Sequence, residues 1–224
     1  YNRLGQQISV NDAQGSRTFS YNSATLMLEN ETIIAGGVTN IIARTQDSYG
    51  RPSGISFGND YHVNYGYSDV GRFASVTSVV FNTTNTWEYS YLQNSDLVSV
   101  ISNLQSVITT KSYEEKRDLL TEVHNKAQGV TISKYQYSND ALGRRTQRID
   151  TTASVTTNDF GYDTRSQLTN AIMGAESFAW AFDNIGNRKT YTTNGTTYAY
   201  LANELNQYTN IHNGVTNTPT YDLD

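Results

Sequence analysis

The chain has 224 residues, enough to bury a sizeable core as one domain, two domains or one long repeat array. Its net charge of −5 supplies no basic footprint for nucleic acid, and the absence of cysteine excludes disulfides, thiolate metal sites and a cysteine nucleophile. Hydrophobic residues at 37% and charged residues at 17% exclude a disordered, highly charged chain, and the 17 tyrosines against 2 prolines favour strands.

No apolar run reaches the roughly 20 residues that a membrane-crossing helix needs. No signal peptide is visible. The chain opens at Tyr1 without Met and closes at Asp224; both ends read as cut, with targeting signals expected outside this stretch.

One unit recurs along the chain. It is an aromatic residue, Asp or Asn, two variable residues, Gly, then Arg, Gln or Asn. Tyr1-Asn2-Arg3-Leu4-Gly5-Gln6 opens the series. A degenerate copy begins at Tyr21-Asn22, and Gln46-Asp47-Ser48-Tyr49-Gly50-Arg51 lacks only the aromatic. Tyr67-Ser68-Asp69-Val70-Gly71-Arg72 follows. The stretches from Tyr91 to Leu97 and from Tyr113 to Leu119 match each other. Asn139-Asp140-Ala141-Leu142-Gly143-Arg144 again lacks the aromatic. Tyr162-Asp163, Phe182-Asp183-Asn184-Ile185-Gly186-Asn187, Ala202-Asn203 and Tyr221-Asp222 complete the set. The ten intervals between successive anchors cover 220 residues, a mean of 22.

Aromatics at i and i+2 precede most turns, as in Tyr65/Tyr67, Tyr89/Tyr91, Tyr135/Tyr137 and Phe178/Trp180/Phe182. Period two puts each set on one strand face. The Asp or Asn bonds forward to the backbone and starts a turn. The Gly takes a backbone angle that other residues resist. A Thr/Ser/Val-rich stretch then forms a second strand. The unit therefore reads as one hairpin per repeat, and stacked hairpins bury a shared aromatic face. The predicted fold is all-β: one array over residues 1–224 of about ten hairpins of about 22 residues.

Two segments read less clearly. From Tyr113 to Ala127, Leu119, Leu120, Val123 and Ala127 have helical spacing, but the segment falls in register with the repeat, and the strand reading is preferred. Around Gly36-Gly37 a bulge or loop is expected.

The spacing and the motifs, above all residues 139–146 and 182–188, resemble the YD repeats of the RHS family. The resemblance extends over nearly the whole chain. It implies a hairpin strip that winds into a hollow shell. Family members include carriers of bacterial polymorphic toxins, shell subunits of insecticidal Tc complexes and teneurins. No stretch here matches the family's self-cleaving core, so that activity is not carried over.

The function this implies is a structural wall segment of a secreted or cell-surface protein, bacterial by preference, that encloses or displays a toxin or effector. The expected partners are flanking repeats and an enclosed C-terminal effector. The alternative is an extracellular module that binds carbohydrate or a protein surface through exposed tyrosine rows and self-associates through its strand edges, even into filaments. An enzyme is the weakest reading, and no catalytic, metal or cofactor residue is assigned. His62, His124 and His212 lack partners at metal-ligand spacing, and a packed or solvated histidine is preferred. No Gly-x-Ser-x-Gly elbow supports a serine triad. Glu114 and Glu115 are adjacent, so a strand would point them to opposite faces. The acidic turn at residues 183–187 lacks the EF-hand ligand order. Arg51, Arg72 and Arg144 are expected to brace the next hairpin and not to hold a ligand. Asn30, Asn82 and Asn194 match the glycosylation pattern, as chance allows in an Asn- and Thr-rich chain.

Overall fold

The computed structural model describes residues 1–103 and 106–221. Every regular element among them is a β-strand. The chain divides into two compact units, Tyr1–Thr109 with Ala127–Gly129, and Thr110–Lys126 with Val130–Asp224.

The first unit holds β1 (Ser9–Asp12), β2 (Gly15–Tyr21), β3 (Leu28–Ala35), β4 (Val38–Gln46), β5 (Pro52–Phe57), β6 (Tyr61–Tyr67), β7 (Phe73–Val80), β8 (Thr83–Tyr91) and β9 (Val98–Asn103). Each pairs antiparallel with the next. β10 (Val107–Tyr113) runs from the first unit's residues into the second's. The second unit continues through β11 (Leu120–Ala127), β12 (Val130–Asn139), β13 (Arg145–Thr151), β14 (Val155–Tyr162), β15 (Leu168–Met173) and β16 (Glu176–Phe182). It ends with β17 (Arg188–Thr193), β18 (Thr196–Ala202), β19 (Tyr208–His212) and the short β20 (Thr216–Asn217). From β12 onward these too pair in sequence order, antiparallel.

The segment with helical spacing is a turn followed by strand β11, so the repeat register prevails over local periodicity. Gly36-Gly37 is a loop and not a bulge. It is a two-residue hairpin turn with φ of 57° and 77°, and Ala35 pairs with Val38 across it.

The register separates the two faces of each sheet. In the second unit, Tyr137 lies opposite Arg148, Arg148 opposite Asn158, Phe160 opposite Ala171, Ala171 opposite Phe178, and Trp180 opposite Tyr191. Cross-strand partners share a face, so the rings gather on one side. The other side pairs Asp159 with Ile172, Asn170 with Ala179 and Thr192 with Thr197. The first unit repeats the division: Ile55, Val63, Val76, Trp87 and Tyr89 share the aromatic face, against Ser56, His62, Thr77 and Thr86 on the other. On the aromatic face of this unit Glu31 also sits 3.5 Å from both Arg17 and Arg44.

These sheets are single layers. The accessible surface is 15025 Å², against roughly 10,000 Å² for a compact chain of this mass. Among the described residues only Gly54, Val63, Ala171 and Asn158 are buried. Packing therefore comes from side chains leaning on neighbours in the same face. Phe73 meets Tyr65, Tyr67 and Tyr89 at 6.1, 5.8 and 5.1 Å between ring centres. Phe178, Trp180, Tyr191 and Tyr198 stack with planes within 9–25° of parallel. Such ring pairs contribute about 0.5–1.5 kcal/mol each beyond area burial.

Candidate functional site

The most highly organised part of the molecule is the row of long turns that join one repeat's strand to the next. Asp47 shows how one is built. Its Oδ1 accepts the amides of Tyr49 and Arg51, each at 2.9 Å, and its Oδ2 accepts Arg51 Nε at 2.7 Å. Asp140 holds Leu142 and Arg144 in the same way, at 2.9, 2.9 and 2.7 Å. Asp183 holds Ile185 and Asn187, its Oδ2 taking Asn187 Nδ2 at 3.0 Å. Gly50, Gly143 and Gly186 lie at φ of 78°, 82° and 98°, where a side chain strains the backbone. In degenerate copies Leu26, Asp118, Ser166 and Asn206 adopt the same left-handed region without being glycine. The residue that leads into the turn sits at a register shift at Gln46, Tyr67, Tyr162 and Phe182, so the array bends at these turns.

Electrostatics follow from this geometry. Desolvation in the turn pushes the Asp47 and Asp140 carboxyls up, but the backbone and side-chain hydrogen bonds from Arg51 and Arg144 outweigh it. Both titrate below the usual aspartate range. Asp183 is likewise lowered, with Asn187 and the amides of Ile185 and Gly186 outweighing desolvation. Hydrogen bonds from Arg117 and Asn139 lower Glu114.

The turns are also linked to one another. Arg51 Nη1 donates to the Gly71 carbonyl at 3.2 Å and its guanidinium lies 4.1 Å from the Tyr67 ring centre. Arg72 pairs with Asp96 at 2.9 Å and lies over Tyr91. Arg144 Nη1 donates to the Asp163 carbonyl at 2.9 Å and the guanidinium covers Tyr162 at 4.9 Å. The turn arginines thus brace the next hairpin, as expected from their forked donors. Three further links were not expected from the sequence. Gln6 Nε2 donates to the Leu26 carbonyl at 2.8 Å, Arg117 Nη1 to the Asp140 carbonyl, and Asn187 Nδ2 to Asn206 Oδ1 at 3.2 Å.

A second set of links points the other way. The hydroxyls of Tyr21, Tyr67 and Tyr162 donate to the carbonyls of Gln7, Pro52 and Arg145 at 2.8, 2.8 and 2.9 Å. Tyr91 reaches Phe73 and Tyr221 reaches Tyr208. Each of these carbonyls belongs to the residue just after the preceding turn. The signal was in the sequence: these anchors are tyrosine where phenylalanine would pack as well. Thr146, Thr169 and Thr209 add bonds to the carbonyls of Ser138, Gly161 and Leu201 at 3.3, 3.2 and 3.2 Å, which the sequence reading missed.

The other candidates are dispersed. His62 bonds the Asn59 carbonyl, His124 the Thr131 hydroxyl and His212 the Thr216 hydroxyl, at 2.8, 2.8 and 3.3 Å. Among the described residues no group of three His, Cys, Asp or Glu is placed to hold a metal. Glu114 and Glu115 lie in a turn and not in a strand; Glu114 is paired with Arg117. Asn30 is held by Ser20 within β3, and Asn194 Oδ1 accepts the Ser177 amide. The arrangement can transmit restraint from hairpin to hairpin.

No protein-family model matches the chain, and no curated protein does. Solved structures do. A crystal structure of TcdB2-TccC3-Cdc42 superposes with a TM-score of 0.74 at 14% identity, over 89% of this chain and 12% of that one. TcdB2-TccC3 without its hypervariable C-terminal region gives 0.74 at 14%, over 91% and 13%. A Tc holotoxin pore of Photorhabdus luminescens with a mutated TccC3 gives 0.71 at 13%, over 88% and 12%. The chain thus spans about an eighth of the length of the chains it matches. At such identities the likeness is one of fold: an all-β array of antiparallel hairpins, shared with segments of Tc toxin structures.

Proposed function

We propose that the chain is a wall segment of an RHS-type shell, a secreted or cell-surface scaffold that encloses or displays an effector and performs no chemistry itself. The observation that carries this reading is the two-way linkage between successive turns along single-layer sheets. Such a strip gains stability from the repeats before and after it, as repeat arrays do, and it leaves whole faces free to bound a space. The fold likeness to TcdB2-TccC3 segments supports the reading, and so do the YD-type motifs that recur along the chain. The enclosed effector and the export route are part of the proposal.

The test is the intact polypeptide from its source. Its mass is expected to be well above the 25.0 kDa of this chain. Limited proteolysis is expected to leave a second, non-repeat portion protected until the repeats are unfolded. A native polypeptide that consists of these repeats alone contradicts the containment role. It would favour the alternative of a free-standing binding module, for which the half-buried ring stack at Phe178, Trp180, Tyr191 and Tyr198 is the supporting observation.

A further inference from the structure

The residue just after the turn is apolar in most copies, Leu28, Pro52, Phe73, Val98, Leu120 and Leu168, and at Phe73 it lies among the rings of Tyr65, Tyr67 and Tyr89. Arg145 and Arg188 place a cation there instead. A charge where the repeat otherwise places an apolar side chain is the informative exception. Both guanidinium groups are held by rings. Arg145 lies 3.8 Å from the centre of Tyr137, and Arg188 lies 5.8 and 5.4 Å from Tyr191 and Tyr200. The acidic residues nearest Arg145 in sequence are already engaged, Asp140 by Arg144 and Asp150 by Nε and Nη2 of Arg148, each at 2.7 Å. Arg145 Nε is enclosed with no hydrogen-bond acceptor.

The two arginines differ in what surrounds them. Beside Arg145 is an open pocket of about 340 Å³ on the sheet face, lined by Tyr137, Arg145, Arg148, Phe160, Tyr162 and Leu168. That volume falls in the range of small-molecule sites, roughly 300–1,000 Å³. Its walls are three aromatic rings and a leucine. Arg148 is neutralised by Asp150, so Arg145 supplies the uncompensated charge. The Tyr162 hydroxyl bonds the Arg145 carbonyl at 2.9 Å and fixes the backbone that carries it. Rings on the walls and one fixed guanidinium suit a ligand that is itself a ring with a carboxylate.

We propose that this pocket binds a small ring-bearing carboxylate, with the acid on the guanidinium of Arg145 and the ring against Phe160 and Tyr137. Two sources share that chemistry, a uronic-acid sugar and an aromatic acid. The site stands equally on a shell wall or on a free-standing module, so it does not rest on the containment role.

The experiment titrates the folded chain with galacturonate, benzoate and neutral galactose, followed by nuclear magnetic resonance. Saturable shifts are expected at Tyr137 and Arg145 with an acid and not with galactose; the acid that binds identifies the source. Arg145→Leu is expected to weaken the acid about tenfold or more, the loss of a charged hydrogen-bond partner, while Arg188→Leu leaves it unchanged. Both variants restore the residue type that other copies carry, so both are compatible with the fold. Absence of saturable shifts with either acid overturns the proposal. So does equal binding of galactose, undiminished binding by Arg145→Leu, or shifts centred on Tyr191 and Tyr200 in the unaltered chain.

Discussion

The long turns and the two-residue turns join the same strands, yet they are built differently. A long turn such as residues 140–144 is saturated by its own aspartate and tied by side chains to the turn after it. A two-residue turn such as Gly36-Gly37 or Asn194-Gly195 needs only left-handed backbone, and adjoining strands meet there mainly through main-chain bonds such as Asn194 N to Ser177 O at 2.9 Å. Restraint along the array is therefore concentrated at one set of strand ends. Within each unit the described strands form one layer, which supplies little of it elsewhere.

The sharpest way to break this contrast is to cut one long-turn link. Arg144→Ala removes the bond to the Asp163 carbonyl and the contact with the Tyr162 ring. Counting those two alone, it is expected to cost about 1–2 kcal/mol in chemical unfolding. Tyr162→Phe keeps the ring and deletes only the hydroxyl bond to Arg145, at an expected cost of about 1 kcal/mol. Leu26→Gly works in the opposite direction. Leu26 sits at φ 60° with an exposed side chain, and Gln6 uses only its carbonyl, so glycine is expected to raise stability by up to about 1 kcal/mol. The smallest effect belongs to the two-residue turn. Asn194→Gly keeps the backbone angle, loses one bond from the Ser177 amide, and is expected to cost about 0.5 kcal/mol. Equal costs for Arg144→Ala and Asn194→Gly would remove the distinction between the turns.

Acid sharpens the same comparison. Asp47, Asp140 and Asp183 have folded-state pKa values below the ordinary aspartate value of 3.8. Their stabilisation is complete above that value and is lost as pH falls through the lower folded value. Thermal melting is thus expected to weaken below about pH 4, the region of the free aspartate pKa. Asp140→Asn keeps the turn, since Asn203 holds Leu205 and Gln207 by the same pattern at 2.9 and 3.0 Å, but it is expected to flatten the acid limb. An unchanged acid limb in that variant would show that Asp140 does not contribute to it.

The long turns were legible because they demand particular residues. Asp140, Gly143 and Arg144 each perform a task that few side chains can, and the aromatics at Tyr135 and Tyr137 announce the face they share. The two-residue turns were less legible, because left-handed backbone at Gly36-Gly37 or Gln128-Gly129 leaves only a weak trace in sequence. The reciprocal links were hidden for another reason. That Tyr162 reaches Arg145, or Arg117 reaches Asp140, depends on how far neighbouring repeats are offset, and the bulge at each turn sets that offset. The pocket at Arg145 was invisible for the same cause, since its walls come from strands β12, β13, β14 and β15.

The most direct test of the scaffold role is cryo-electron microscopy of the intact polypeptide that carries this chain. The account predicts that residues 1–221 form a continuous stretch of wall around an enclosed volume, with flanking hairpins extending the row of long turns. A complete particle in which these hairpins stand as an open strip, bounding no space and adjoining no further repeats, would contradict it.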